Sequence, residues 1–200
     1  MVRITGGSHR GQCIQVPAHE GVRPTTGRVR EAVFNMLQTR LAGGWMLDLF
    51  AGSGLMGMEA LSRGAGFAVF VDHHPTVCQA IQQNIDRMQW TNSALVIRGS
   101  VPRGTTLARI ESLFHQWSAQ HGDRSAIIFM DPPYGRNLVG QTLSALGQCR
   151  FIVPGTLVVA EHEDGTIFDD LSSWEPLQYR RYGDTRISIF AKIAGKENSE

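Results

Sequence analysis

The chain is short of lysine, of cysteine and of long apolar runs, and each shortage closes off a class of function. Only two of its 200 residues are lysine, against seventeen arginines. A guanidinium fork suits phosphates and base edges better than an ammonium does, although an arginine-rich genome gives the same ratio. The three cysteines, Cys13, Cys78 and Cys149, are odd in number and far apart. That spacing supports neither a zinc site nor a disulfide framework, and buried free thiols are expected. No His/Cys/acid spacing suggests a metal. No apolar stretch approaches the roughly 18 residues of a membrane span, and no apolar segment follows Arg3 as a secretory leader requires. A cytoplasmic protein with no membrane partner is expected. Hydrophobic content of 42% and charged content of 18% fit one globular domain of ordinary size.

Charge is placed unevenly. Residues 1–40 carry six arginines against Glu20 and Glu31, a net of +4, which leaves the other 160 at −3 within a chain total of +1. Two short strands over 2–5 and 12–16 predict an N-terminal hairpin. A loop over 17–24 follows, and then a helix capped by Thr25 or Thr26 with Val29, Val33, Met36, Leu37 and Leu41 as its apolar stripe. Residues 1–42 thus read as an arginine-rich extension, hairpin plus helix, packed on the domain that follows. From 43 to 195 the pattern alternates strand and helix. Strands are expected over 45–50, 67–72, 94–98, 125–130 and 156–160, and a terminal hairpin over 177–193. Residues 196–200 read as a frayed tail. Such alternation predicts an α/β, doubly wound, mostly parallel Rossmann-like sheet of seven strands, closed at one edge by an antiparallel C-terminal strand. Ligands in these sheets bind beyond the carboxyl ends of the strands, so the residues there carry the most weight.

The first of these strands ends in Asp48-Leu49-Phe50-Ala51-Gly52-Ser53-Gly54. Gly52, Gly54 and Gly57 match the dinucleotide fingerprint, but Asp48 would repel a pyrophosphate and suits a cationic ammonium instead. Asp72 closes the second strand, 18 residues past Gly54, where an acid accepts both hydroxyls of a ribose. A dinucleotide and S-adenosylmethionine both carry that ribose. The fourth strand ends in Asp131-Pro132-Pro133-Tyr134. Two prolines fix φ and remove two donors, which leaves the Asp131 carboxylate and the Pro132 carbonyl to receive both hydrogens of an NH2 group. Tyr134 offers a face on which a planar base can stack. The same turn would serve guanine N2, adenine N6, cytosine N4 or a glutamine amide.

The glycine turn together with Asp131-Pro132-Pro133-Tyr134 resembles the class I amino-group methyltransferases of nucleic acids. The N-terminal block, with Arg3-Ile4-Thr5-Gly6-Gly7, Arg10-Gly11, Arg23-Pro24-Thr25-Thr26 and the run from Arg28 to Leu37, is similar to the bacterial 16S ribosomal RNA guanine-N2 methyltransferases. The resemblance spans nearly the whole chain. It implies S-adenosylmethionine held by Asp48, Phe50, Ala51, Gly52, Ser53, Gly54 and Asp72, with Ser100, after the third strand, at the adenine. Asp131, Pro132, Pro133 and Tyr134 would form the catalytic turn. Arg3, Arg10, Arg23, Arg28 and Arg30 would contact ribosomal RNA, presented in a small-subunit particle. Two positions depart from the family's pattern: Asp72 stands where Glu is usual, and Ser100 where an acid or amide is common. The rival readings are an amino-group methyltransferase of adenine or protein glutamine, an NAD-dependent oxidoreductase, and an RNA-binding scaffold without catalysis.

Overall fold

The computed structural model describes residues 2–16, 27–122, 126–168 and 170–194, with Arg28 and Gln38 described by backbone alone. The 17–24 loop, the Thr25 or Thr26 cap, Arg23 and the 196–200 tail lie outside the described residues.

Alternation of burial along each central strand builds two cores, one on either side of a single sheet. Strands β3 (Trp45–Leu49), β4 (Phe67–Asp72), β6 (Ala126–Met130) and β7 (Leu157–Glu163) are almost continuously apolar, as strands covered on both faces must be. Met46, Phe70, Ile127, Phe129 and Val159 join one cluster. It includes apolar residues of α1 (Gly27–Leu41), α2 (Leu55–Ser62) and α3 (Pro75–Arg87). Leu47, Leu49, Val71, Ile128 and Met130 join the other, with α4 (Gly104–His121) and α5 (Leu138–Gly147). Each such side chain, fully buried, contributes roughly 1.5–3 kcal/mol.

Among the described residues the large sheet has seven strands in the order β5-β4-β3-β6-β7-β9-β8, with β5 at Ala94–Arg98, β8 at Trp174–Tyr182 and β9 at Thr185–Lys192. The antiparallel C-terminal strand is there, but not at the edge. β9 lies between β7 and β8, antiparallel to both. Composition explains the difference. β9 sends Ile187 and Ile189 into one core and Phe190 into the other. β8 is mostly exposed and carries Pro176 and a register shift between Pro176 and Gln178, features tolerated at an edge.

The N-terminal hairpin pairs β1 (Val2–Arg3) with β2 (Cys13–Ile14) antiparallel, and it is clamped onto α2 and α3. Glu59 of α2, fully buried, accepts hydrogen bonds from the Thr5 amide (2.8 Å) and hydroxyl (2.8 Å), from Arg30 Nε (3.1 Å) and from Arg63 Nε (2.7 Å). Ser62 Oγ donates to the Gly6 carbonyl at 2.6 Å. A Cβ on Gly7 would come within 1.7 Å of the Ser62 carbonyl, so only glycine allows this approach. Asn84 of α3 exchanges two hydrogen bonds with the backbone of Gln15. The three thiols are partly rather than fully buried.

Candidate active site

Register fixes where the two decisive turns stand. β3 pairs β6 in parallel with Leu49 opposite Met130. The glycine turn and the 131–134 turn therefore leave adjacent strands at the same level, at the carboxyl end of the sheet.

The glycine turn bends through positive φ at Phe50 (58°), Gly52 (52°) and Gly54 (71°). A left-handed phenylalanine is a rare conformation, of the kind that clusters at functional sites. Gly54 opens α2. Two acids bracket the bend. Asp48, at 2% exposure, accepts the Gly57 N–H at 2.9 Å. Asp72 accepts the Gly52 N–H at 3.0 Å on one oxygen and the His74 N–H at 2.9 Å on the other. Gly57 works by packing: a Cβ there would meet the Phe70 ring at 2.3 Å. Burial pushes the Asp48 carboxyl up to about 8, against the lowering effect of its bond to Gly57 and with a further push from the charge of Asp72. Ala51 and Ser53 are buried within the turn. Ser100 is partly buried beside Asp72, because the preceding Gly99 N–H donates to the Asp72 carbonyl at 2.9 Å.

In the second turn Pro132 is buried, Pro133 is exposed, and Tyr134 is 50% exposed. Tyr134 lies close enough to Thr185, at the start of β9, for the two side chains to interact electrostatically. The Gly135 N–H donates to Glu163 Oε1 at 3.1 Å, so the end of β7 braces the turn from one side. A cavity of about 330 Å³ opens between the turn and the segment after β7, with Pro132, Tyr134, His162, Glu163, Thr166 and Ile167 among its lining residues. Asp131 has its affinity for a proton raised, first by burial, then by the charge of Glu161, then by that of Asp48. Met130 pairs with Ala160, which puts Glu161 directly across from Asp131. Glu161 is 7% exposed and is a site residue that the sequence reading misses. Its signal is local: an acid at the carboxyl end of an apolar parallel strand. Glu59 and Thr185 carry no local signal.

The arginines divide. Arg3 and Arg10 are exposed, with Arg3 Nη1 donating to the Gly11 carbonyl at 2.9 Å. Arg30 has to be reassigned. It is 2% exposed, its Nε pairs with Glu59 and its Nη2 donates to the Arg3 carbonyl at 2.7 Å. A guanidinium desolvated against an internal carboxylate has no face left for a phosphate, so Arg30 is a clamp rather than an RNA contact. Arg23 and the Arg28 side chain lie outside the described residues. Among the described residues no cluster of three or more His, Cys, Asp or Glu could hold a metal, and no helix is long and apolar enough to cross a membrane.

The family described as Conserved hypothetical protein 95 matches residues 2–191. The ribosomal RNA small subunit methyltransferase D of Escherichia coli (strain K12) is 34% identical over 162 residues, covering 81% of this chain and 75% of its own. The protein of the same name from Haemophilus influenzae is 32% identical over 190 residues, 94% of this chain and 93% of its own. Among solved structures, a hypothetical protein of Thermus thermophilus has a TM-score of 0.68 at 30% identity, covering 94% of this chain and 98% of that one. An RNA methyltransferase from Salinibacter ruber, solved in complex with S-adenosyl-L-homocysteine, shares the fold with a TM-score of 0.57 at 16% identity, over 86% and 94% of the two chains. Matched by the family model along nearly all its length and more than 30% identical to both methyltransferases, the chain belongs to the Conserved hypothetical protein 95 family, that of the ribosomal RNA small subunit methyltransferases D.

Proposed function

We propose that this chain, an S-adenosylmethionine-dependent ribosomal RNA methyltransferase, methylates the exocyclic N2 amine of a guanine in 16S ribosomal RNA, in the cytoplasm and within a small-subunit particle. One observation carries the reading: the pairing of Leu49 with Met130 sets an acid-flanked glycine bend beside a half-exposed Asp-Pro-Pro-Tyr turn.

The donor set fits the cofactor. Asp48 and Asp72 bracket the bend with carboxyl groups, which suits an ammonium and a ribose and disfavours a pyrophosphate. Asp48 is desolvated without a cation beside it among the described residues, and an adjacent ammonium would return it to its ionised form. When bound, S-adenosylmethionine supplies a methyl group on a sulfonium, already a strong electrophile.

The chain's task is to present the amine. The Asp131 carboxylate and the Pro132 carbonyl accept the two N–H bonds and hold the nitrogen lone pair out of the ring. Alignment of this kind lowers a barrier by on the order of 7–11 kcal/mol. Positive charge grows on the nitrogen as the bond forms, and both oxygens stabilise it. Asp131, made more basic by burial and by Glu161, then takes the proton. Tyr134 stacks the base, which leaves its helix or loop to reach the turn.

The test is single-turnover methylation by Asp131→Ala with calorimetry of S-adenosylmethionine binding. A rate loss on the order of 10²–10⁴ with near-normal binding is expected, and retained turnover refutes the role. Mass spectrometry of the modified nucleoside identifies the base. N2-methylguanosine agrees with the proposal, whereas N6-methyladenosine or a methylated glutamine overturns it.

A further inference from the structure

We propose that the β8–β9 hairpin is a second RNA-binding surface, on which Arg180 grips a backbone phosphate close to the target base; this rests on the RNA reading above. Register makes the case. Glu161 pairs with Ile187, and Ile187 with Arg180, so Asp131, Glu161, Ile187 and Arg180 form one row across β6, β7, β9 and β8. Opposed residues share a face of a sheet, and Ile187 belongs to the core on the side of α1, α2 and α3. Arg180 therefore flanks the same face as Asp131, three strands away, or about 14 Å at about 4.8 Å per strand. A polynucleotide whose base enters the 131–134 turn has to lay its backbone nearby.

Arg180 is available for it. Its side chain is exposed, its described hydrogen bond goes to the neighbouring Tyr179 carbonyl at 3.1 Å, and no acid among the described residues pairs with it within 4.0 Å. Arg181, next along, is also exposed, but it donates to the Gly183 carbonyl and shares its field with Asp164. The nearness of Thr185 to Tyr134 places the tip of this hairpin next to the base-stacking residue. The hairpin at the N-terminus is placed otherwise. Beside its bonds to Asn84 and Arg87 of α3, it contacts Glu59, Ser62 and Arg63, at the end of α2 remote from Gly54. That is roughly 12 Å of helix away from the cofactor bend, at about 1.5 Å per residue. A rival role for Arg180 is to keep an exposed edge strand from pairing with a second copy.

The experiment measures binding of the full chain to a 16S ribosomal RNA fragment across a salt series, for wild type, Arg180→Ala and Arg180→Lys. Arg180→Ala leaves one phosphate unneutralised, so it is expected to weaken binding and to flatten the slope of log affinity against log salt by about 0.7–0.9. Arg180→Lys should keep most of the slope, and S-adenosylmethionine affinity should not move. An unchanged affinity and slope in Arg180→Ala overturns the proposal. If dimers or larger assemblies then appear on gel filtration, edge protection is the residue's role. Wild-type protein that binds no RNA at all would instead overturn the RNA reading on which this rests.

Discussion

Glu59 and Asp48 are both fully desolvated acids in contact with the same short helix, and their surroundings are opposite. Glu59 is surrounded by donors and by two guanidiniums. Asp48 has one amide, from Gly57, a like charge at Asp72, and another at Asp131. A neutralised carboxylate holds two parts of a chain together. One left short of compensation stores an affinity for whatever cation or proton arrives, which is why strongly perturbed acids gather at active sites. The two ends of α2 thus differ: the far end fastens the extension, and the near end holds an acid short of compensation.

That contrast can be broken or sharpened. Glu59→Ala should produce the largest loss of stability, about 3–5 kcal/mol by urea unfolding, because it strands buried Arg30; a loss under about 1 kcal/mol would mean the cluster is ornamental. Asp48→Asn should do the reverse. The folded-state pKa of about 8 lies above the ordinary carboxylate value, so the native state holds the proton more tightly. Stability from this group is then full at low pH and drains away as pH rises from about 4 to 8. The asparagine variant escapes that loss. Its melting temperature relative to wild type should climb by on the order of 10 °C over the same interval, at about 2–4 °C per kcal/mol for a chain of this size, while S-adenosylmethionine binding weakens. A flat difference, or retained binding, would put Asp48 in the same class as Glu59. The smallest effect is expected from Glu161→Gln. Removing its charge lowers the proton affinity of Asp131, whose largest remaining perturbation is burial. The acid limb of the single-turnover pH–rate profile should therefore move to lower pH, and a limb that stays put would separate Glu161 from the proton step.

The parallel half of the sheet is legible in the sequence because its signals are local. Apolar runs such as 126–130 end in Asp or Gly, and the candidate-site positions follow from strand ends alone. What escapes depends on partners distant in sequence. Glu59 meets Thr5 and Arg30, and nothing in residues 55–62 announces either. Arg30 looks like its exposed neighbours in an arginine-rich stretch, and only burial separates it from them. The order of the last two strands goes against expectation because connectivity suggests a terminal edge. The greasiness of 187–190 against the polar 175–181 stretch, with its Pro176, favours the reverse.

Every residue of α2 is buried, which makes that helix an enclosed beam rather than an amphipathic cover. Removing the first 42 residues would therefore not yield a smaller enzyme; it would leave Glu59 on a stripped flank, with Arg63 as its one remaining partner among those described. Any transplanted recognition module would have to bring its own hydroxyl and guanidinium to that carboxylate before it could bring a new specificity.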